Sequence, residues 1–241
     1  MLCVERDGVN VASRSGKGRK LELKLAVAYG GKEQIGSRRR LLQRRAFAAL
    51  AAGVVFWEQA TADFGQKWDL GAAGQCVITG DGAGWIKAGQ ELFPGARYRL
   101  DRYHLLRRAL VEALVHVETA LRRPAGALAA GDWSETADVL QEAERRADSR
   151  QQKARIRALR RYLAADRDGI VGSDEAFGLG GAIEGQVFHH VRMKRHGARW
   201  SEGGVDHLVR LLGVHANGEV EAVCRGRQRP VPEQLRTWAR E

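Results

Sequence analysis

An aspartate framed by glycines is the first feature of this sequence that could do chemistry. Asp81 lies between Gly80 and Gly82, directly after the apolar run Cys76–Thr79. Glycines place no side chain beside the carboxylate, so a metal ion or a phosphate backbone can approach it closely. A short apolar run bounded by glycine is typical of a buried strand. We therefore expect Asp81 at the end of a buried strand, in a position suited to a metal ion or a phosphate.

Another aspartate, Asp101, follows Asp81 after a predicted helix, turn and strand. A short helix is predicted over Trp85–Phe93, and Pro94-Gly95 predicts a turn. A second short strand, Arg97–Leu100, then leads into Asp101-Arg102-Tyr103-His104 and a strongly helical segment. Two interpretations stay open for this last element. Asp101 could simply cap the helix with His104 at the third helical position, or both residues could belong to a site.

The chain opens with strands that carry another acid. Asp7 closes the predicted strand Leu2–Asp7 and precedes a glycine. Val9–Ala12 continues in alternation, Ser13–Lys20 is polar and glycine-bearing, and Leu21–Val27 alternates with the period of a half-buried strand. We expect three sequential antiparallel strands with an acid on the first. Because Asp-Gly is also a hairpin signal, a turn is the alternative interpretation of Asp7.

A glutamate near the end of the chain is the last candidate. The glycine-rich segment Gly178–Gly181 leads into a predicted helix on which Ile183, Val187 and Val191 form an apolar stripe. Glu184 lies beside that stripe, where its side chain can reach the edge of a sheet. The alternative is a glutamate in the first helical turn, favoured there by the helix dipole.

Composition limits the class of protein. The 241 residues are 44% hydrophobic and 29% charged, as expected for one sizeable globular domain or a domain with an insertion. There is no apolar run of about 18 residues and no visible signal peptide, so we expect no contact with a membrane. The cysteines Cys3, Cys76 and Cys224 form no CxxC pair, which argues against a zinc knuckle and for a reducing cytoplasm.

Charge favours nucleic acid as the partner. Forty Lys and Arg residues against 29 acidic ones give a net charge of +11 and a pI near 10.1. Backbone phosphates supply most non-specific protein–DNA affinity, although a basic protein from an arginine-rich proteome is the alternative. An arginine cluster, Arg38–Arg40 with Arg44 and Arg45, is either a solvated face or a contact for the DNA backbone.

Helices are predicted in two further parts of the chain. Ala46–Asp69 has the pattern of a long helix that packs on the sheet. Residues from Arg102 to about Asp166 read as helical, with a new start at Asp132 and an arginine-loaded helix over Glu142–Leu163. The residues beyond Asn217 are expected to be irregular and basic.

The motif around Asp81 resembles a known family. The ordered set is Gly80-Asp81-Gly82-Ala83, Trp85-Ile86, Phe93-Pro94, Leu100-Asp101 and Tyr103-His104. It closely resembles the insertion-sequence transposases of the ISLre type, which belong with the Mutator-like DDE transposases. The resemblance implies an α/β fold, namely an RNase H-like mixed sheet flanked by helices, with a helical insertion between the second and third catalytic acids.

The same resemblance implies a site and its cofactor. Asp7, Asp81 and Glu184 would be the three metal-binding carboxylates, and Asp101 with His104 would match the family's C/D-x-x-H element, His104 touching the scissile phosphate or the flanking strand. The cofactor would be two Mg²⁺ ions, with Mn²⁺ as a substitute. Because magnesium prefers oxygen ligands, the remaining histidines are expected to be packing or DNA-contact residues, with a minor prospect that one supports Glu184. They are His189, His190 and His196.

The implied function is cleavage and strand transfer of DNA by a bacterial, cytoplasmic transposase that associates with the nucleoid when bound to DNA. Its partners would be transposon ends and target DNA, and a homodimer or larger oligomer on DNA is one arrangement. Family members carry a sizeable region before the first catalytic strand, so Asp7 near the start suggests a truncated form. An inactive DNA-binding remnant and an RNase H-like nuclease with another substrate are the alternatives.

The expected organisation has four parts. Residues 1–101 would form the first part of the core, and residues 102–177 the helical insertion. Residues 178–216 would return to the core with the helix of the catalytic glutamate, and residues 217–241 would be the basic C-terminal tail.

Overall fold

The fold was obtained as a computed structural model. It describes residues 1–101, 104–105, 114, 126–128, 132–170, 182–183, 185, 193 and 197–226. Glu184 and the histidines His189, His190 and His196 lie outside these residues.

Two long antiparallel strands begin the chain, β1 (Leu2–Ser13) and β2 (Lys20–Tyr29). Three strands were expected in this stretch, and the structure has two, because the chain runs through Gly8 without turning. Asp7 pairs with Leu25 and Gly8 with Lys24 in an unbroken register. The Asp-Gly pair is therefore not a hairpin turn, and Asp7 lies in the middle of a strand.

The third strand of this antiparallel group comes later and was predicted as helix. A separate hairpin, β3 (Gly31–Ile35) and β4 (Arg38–Leu42), precedes β5 (Arg45–Ala49), which pairs with β2. The helix predicted over residues 46–69 is wrong in its bounds, because residues 45–49 form β5 and the helix is confined to residues 53–64. Alanines dominate β5 and are buried beside β2, so pairing with the sheet overrides their helical preference.

The helix α1 (Gly53–Phe64) begins only after this strand and leads to the parallel half of the sheet. The strand β6 (Cys76–Gly80) is followed by α2 (Gly84–Lys87), a 3₁₀ turn (Ala88–Leu92) and β7 (Ala96–Leu100). This sequence of strand, short helix, turn and strand agrees with the expectation from the motif. Gly95, with φ of 67°, makes the turn that precedes β7.

The strands form one mixed sheet in the order β5-β2-β1-β6-β7. The first three are antiparallel, whereas β1, β6 and β7 are parallel. A two-residue strand, β8 (Arg199–Trp200), also pairs with β1, at Ala12 and Ser13. The protein is thus a mixed α/β protein built on a mixed sheet.

Each face of the sheet has its own core. On one face Val4 and Ile78 pack with Phe56 and Trp57 of α1 and with residues of the helices after β7. On the other face Val9, Leu23 and Leu25 pack with Ile183 and Val205. Odd-numbered residues of β1 face the second core, since side chains alternate along a strand.

The described helices beyond β7 are α3 (Trp133–Arg146), α4 (Arg150–Ala165), α5 (Glu202–Ala216) and α6 (Val220–Gly226). Asp132 caps α3 by accepting the Glu135 N–H, as predicted for that helix start. The stretch Glu142–Leu163 was predicted as one helix, but α3 ends at Arg146 and Ser149 opens α4 with a capping box. The helix α6 lies where an irregular tail was expected.

No helix in the described part of the chain has the length and apolar character needed to cross a bilayer.

Candidate active site

The site begins with two aspartates on neighbouring parallel strands. The strand β1 pairs with β6 from Leu2 with Cys76 to Glu5 with Thr79. Continuing this register by two residues brings Asp7 level with Asp81. The two acids are far apart in sequence, and the sheet brings their strands side by side.

The surroundings of the two aspartates differ. Asp7 alternates with Cys3 and Val9, which pack in the second core. Asp81 follows the last residue of β6, and its charge acts on Arg6, Tyr98 and Tyr162, which lie with the first core. Both residues are partly exposed, as the ligands of an accessible metal ion would be.

The described strand pairing of β1 is interrupted beside Asp7. On the side of β1 that faces β6, the described strand partners end at Glu5 and resume with β8 at Ala12. Asp7 falls between these two partners.

The loop after β6 has a fixed shape. The Ala83 N–H donates to Asp81 Oδ1 at 3.1 Å, and the Tyr162 hydroxyl donates to the Asp81 carbonyl oxygen at 2.8 Å. Gly82 has φ of 92°, a conformation that favours glycine, and a Cβ there would lie 2.7 Å from Asp166 Oδ2. The glycine after Asp81 is therefore required by both backbone conformation and space.

Asp166 is a buried acid beside this loop that the sequence did not indicate. It ends α4, is 4% exposed and pairs with Lys87 Nζ at 2.8 Å. Burial raises the pKa of Tyr162, and the negative charges of Asp166, Asp81 and Asp101 raise it further, in that order. Tyr162 thus stays a neutral donor to the loop. Nothing local in the Asp-Arg-Asp-Gly turn at the end of α4 would have identified Asp166.

A second missed residue, Glu5, connects β1 to the segment that precedes Glu184. Its Oε2 accepts the backbone N–H groups of Ala182 and Ile183, at 2.8 and 3.0 Å. Its Oε1 accepts the Tyr29 hydroxyl at 2.5 Å and lies 3.6 Å from Lys32 Nζ. Burial, followed by the charge of Glu5, raises the pKa of Tyr29, which keeps that hydroxyl a donor. The signal in the sequence was a glutamate at a core-facing strand position.

Arg6 balances charge on the other face of β1. Its guanidinium is fully buried, donates to the Ile86 carbonyl at 2.7 Å and lies 4.2 Å from the Trp57 ring centroid. Burial lowers its pKa, whereas the charges of Tyr98, Cys76 and Asp81 act in the opposite direction, in that order. Arg6 is therefore a buried basic group on which the charge of Asp81 acts.

Asp101 and His104 border the same end of the sheet. Because Gly80 pairs with Leu100, Asp101 is level with Asp81, and its N–H donates to the Gly80 carbonyl at 2.8 Å. Both side chains are buried, with His104 Nε2 at 3.7 Å from Asp101 Oδ2. The Asp101 carbonyl also accepts the Leu105 N–H, so this residue begins a helical turn. The capping interpretation and the site interpretation are both compatible with this geometry.

Glu184, the third predicted acid, lies outside the described residues. Within the described part of the chain no three His, Cys, Asp or Glu side chains form a group that could hold a metal ion. Asp7 on β1 and Asp81 directly after β6 are the two predicted acids of the set that the structure describes.

Known proteins similar to this chain are longer than it is. The UPF0236 protein TTE2489 of Caldanaerobacter subterraneus subsp. tengcongensis is 29% identical over 144 residues, covering 58% of this chain and 31% of that protein. The UPF0236 protein in the vanSb 3′ region of Streptococcus gallolyticus is 24% identical over 237 residues, covering 93% of this chain and 52% of that protein. The chain thus spans about a third to a half of these relatives.

A further relative in the Caldanaerobacter genome is 29% identical over 144 residues and carries eleven numbered designations under one protein name. Residues 1–229 of the present chain match the model of an uncharacterised protein family, UPF0236. The match covers nearly the whole chain, including the strands of Asp7 and Asp81. The chain belongs to the UPF0236 family.

Proposed function

We propose that this chain is the catalytic part of a DDE-type transposase, which cleaves and joins DNA strands with two bound metal ions. The observation that carries the proposal is the parallel pairing of β1 with β6 up to Glu5 and Thr79, two residues before Asp7 and Asp81. An RNase H-like fold, with three antiparallel strands and an acid on the first, is supported by the order β5-β2-β1 and by the position of Asp7.

The residues present suit magnesium. Hard cations take carboxylate oxygens, and Asp7 on β1 and Asp81 directly after β6 are both partly exposed carboxylates. Glu184 would complete the set. When bound, two Mg²⁺ ions supply activation of the attacking oxygen and stabilisation of the leaving oxygen in an in-line phosphodiester displacement.

The surrounding residues would hold this arrangement in place. Tyr162 fixes the backbone of Asp81, and Glu5 fixes the backbone at Ala182 and Ile183, immediately before Glu184. Hydrogen bonds to the backbone at or next to a metal ligand keep that ligand in one geometry, as a rigid metal site requires. The net charge of +11 suits a substrate whose backbone is anionic.

The relatives give independent support. We interpret the eleven designations under one protein name as copies of one gene within a single genome. A gene repeated in this way is expected of an insertion sequence. Since the chain spans only part of its relatives, the activity of the whole protein, its DNA ends and its assembly belong to this proposal.

Nicking of supercoiled plasmid tests the proposal. The purified chain should nick DNA only with Mg²⁺ or Mn²⁺, and Asp81→Asn should lower the rate roughly 100-fold or more, since each 1.36 kcal/mol of lost transition-state stabilisation is about tenfold. Asp138→Asn, at an exposed position of α3, is the control and should nick at the wild-type rate. Equal rates for the two variants, or nicking in EDTA, would reject the assignment of Asp81.

A further inference from the structure

The hairpin formed by β3 and β4 is a ribbon separate from the main sheet. Its strands pair only with each other among the described residues, and its register runs from Gly31 with Leu42 to Ile35 with Arg38. Gly36, with φ of 59°, opens the two-residue turn.

The base of the ribbon is anchored and its tip is exposed. The Gly30 N–H donates to the Leu42 carbonyl at 2.9 Å, and Leu41 packs against the second core. Lys32 Nζ lies 3.6 Å from Glu5 Oε1, two residues before Asp7 on the same strand. From residue 33 to residue 40 every ribbon side chain is exposed. The ribbon therefore starts beside the strand of the acids and extends into solvent.

The tip carries dense positive charge in a fixed layout. Residues 31–42 contain four cations, Lys32, Arg38, Arg39 and Arg40, against one acid, Glu33. Arg40 pairs with Glu33 at 2.7 Å, and Arg39 donates to Gln34 at 3.4 Å across the strands. Arg38 makes no ion pair within the described residues. The ribbon thus presents exposed guanidinium groups, two of which contact side chains of the opposite strand.

We propose that this ribbon docks in the major groove of duplex DNA. The major groove is about 12 Å wide and accepts a two-stranded β-ribbon, and five-residue strands reach roughly 17 Å, beyond its depth of about 8.5 Å. Arginine pairs with guanine edges or with phosphates, and Ile35, exposed at the tip by 49%, suits a thymine methyl group. The proposal rests on the proposed function for the nature of the partner and adds where and how DNA is held.

Binding to a labelled 30-base-pair duplex in EDTA, followed by fluorescence anisotropy over a salt series, tests this docking. Arg38→Gln with Arg39→Gln should weaken binding about tenfold or more and make the slope of log affinity against log salt shallower by about 2. The control, Arg145→Gln with Arg146→Gln on α3, removes the same charge from two equally adjacent, exposed arginines and should change affinity less than threefold. Methylation of guanine N7, a major-groove atom, should interfere with wild-type binding but not with the residual binding of the ribbon variant.

Other outcomes overturn the docking. Equal losses from both pairs of substitutions would show that the ribbon contributes only general charge. Unchanged DNA affinity, with loss of self-association in sedimentation, would assign the ribbon to a contact between copies of this chain. Absence of N7 interference would place the contact on the backbone or in the minor groove. The binding assay contains no metal and measures no cleavage. The docking proposal can therefore fail while Asp81-dependent nicking is observed, and nicking can be absent while the docking proposal holds.

Discussion

At the scale of single residues, the most informative group is the carboxylate of Glu5. It is 1% exposed and accepts hydrogen bonds from two backbone N–H groups and one hydroxyl. A buried carboxylate is tolerated only when it is paired and hydrogen-bonded in this way. Its partners at Ala182 and Ile183 show that Glu5 fixes the segment leading to Glu184, a link that connects folding to the proposed site.

Replacing Glu5 should therefore affect stability and cleavage together. Glu5→Gln weakens two charge-assisted hydrogen bonds, so we expect a loss of about 1–3 kcal/mol in the free energy of unfolding and at least a tenfold fall in nicking at saturating DNA. Tyr29→Phe removes one bond to the same carboxylate but leaves both backbone bonds. Tyr29→Phe should lower the free energy of unfolding and leave the nicking rate close to that of the wild type. If both variants lose nicking in proportion to stability, Glu5 has no positioning role.

The buried thiols give a pH dependence with a definite sign. Burial raises the pKa of Cys3 from 9.0 to about 11, with help from the charge of Glu5, and burial raises that of Cys76 to about 12. The folded state thus keeps these protons to higher pH than the unfolded chain. The stability they contribute is complete below pH 9 and is lost as the pH rises through 11 to 12.

Urea unfolding between pH 8 and pH 11 measures this effect. We expect wild type to lose on the order of 1–3 kcal/mol more than Cys3→Ala over this range, because the variant lacks one of the protons that the folded state retains. Identical pH slopes for the two proteins would contradict a buried, protonated Cys3.

At the scale of elements, the loop after β6 requires glycine at position 82 for two reasons. Its backbone is in a conformation that favours glycine, and the carboxylate of Asp166 occupies the space of a Cβ. Gly84, two residues later, has open space around its Cβ position and no positive φ. Comparing alanine substitutions at Gly82 and at Gly84 therefore distinguishes the effect of this loop conformation from the general effect of replacing a glycine.

Gly82→Ala should cost about 1–3 kcal/mol of unfolding free energy through backbone strain and displacement of Asp166, and it should reduce nicking by moving Asp81. Gly84→Ala, the matched control at the start of α2, should change stability by less than about 1 kcal/mol. Thermal unfolding of both variants measures the difference. Equal stabilities would mean that the loop does not have the conformation described.

Much of the parallel half of the sheet could be predicted from the sequence. The strand before Asp81, the short helix, the turn and the strand before Asp101 all follow local patterns that the structure reproduces. The boundary at Ala46 could not be predicted, because alanines favour a helix until β2 offers them a strand partner. Glu5 and Asp166 were not predicted as residues of the site, because their partners are distant in sequence and come close only in the folded protein.

At the scale of the whole molecule, the sheet has a different hydrophobic core on each face. Its first core, with α1 and the helices after β7, supports the loop of Asp81 from one side. The second core, with Ile183 and α5, packs on the face of β1 to which Asp7 belongs. The arginine-bearing ribbon contacts β1 from this second side, where Lys32 pairs with Glu5.

The claim that Asp7 and Asp81 hold the same metal ions can be tested without DNA. Fe²⁺ in place of Mg²⁺, with ascorbate and peroxide, produces hydroxyl radicals at the bound metal and cuts the nearby backbone. We predict cuts beside Asp7, Asp81 and the third proposed ligand, Glu184, all suppressed by excess Mg²⁺ and all lost in either Asp7→Asn or Asp81→Asn. Cutting beside only one aspartate, or cutting that survives in either variant, would contradict a shared metal site.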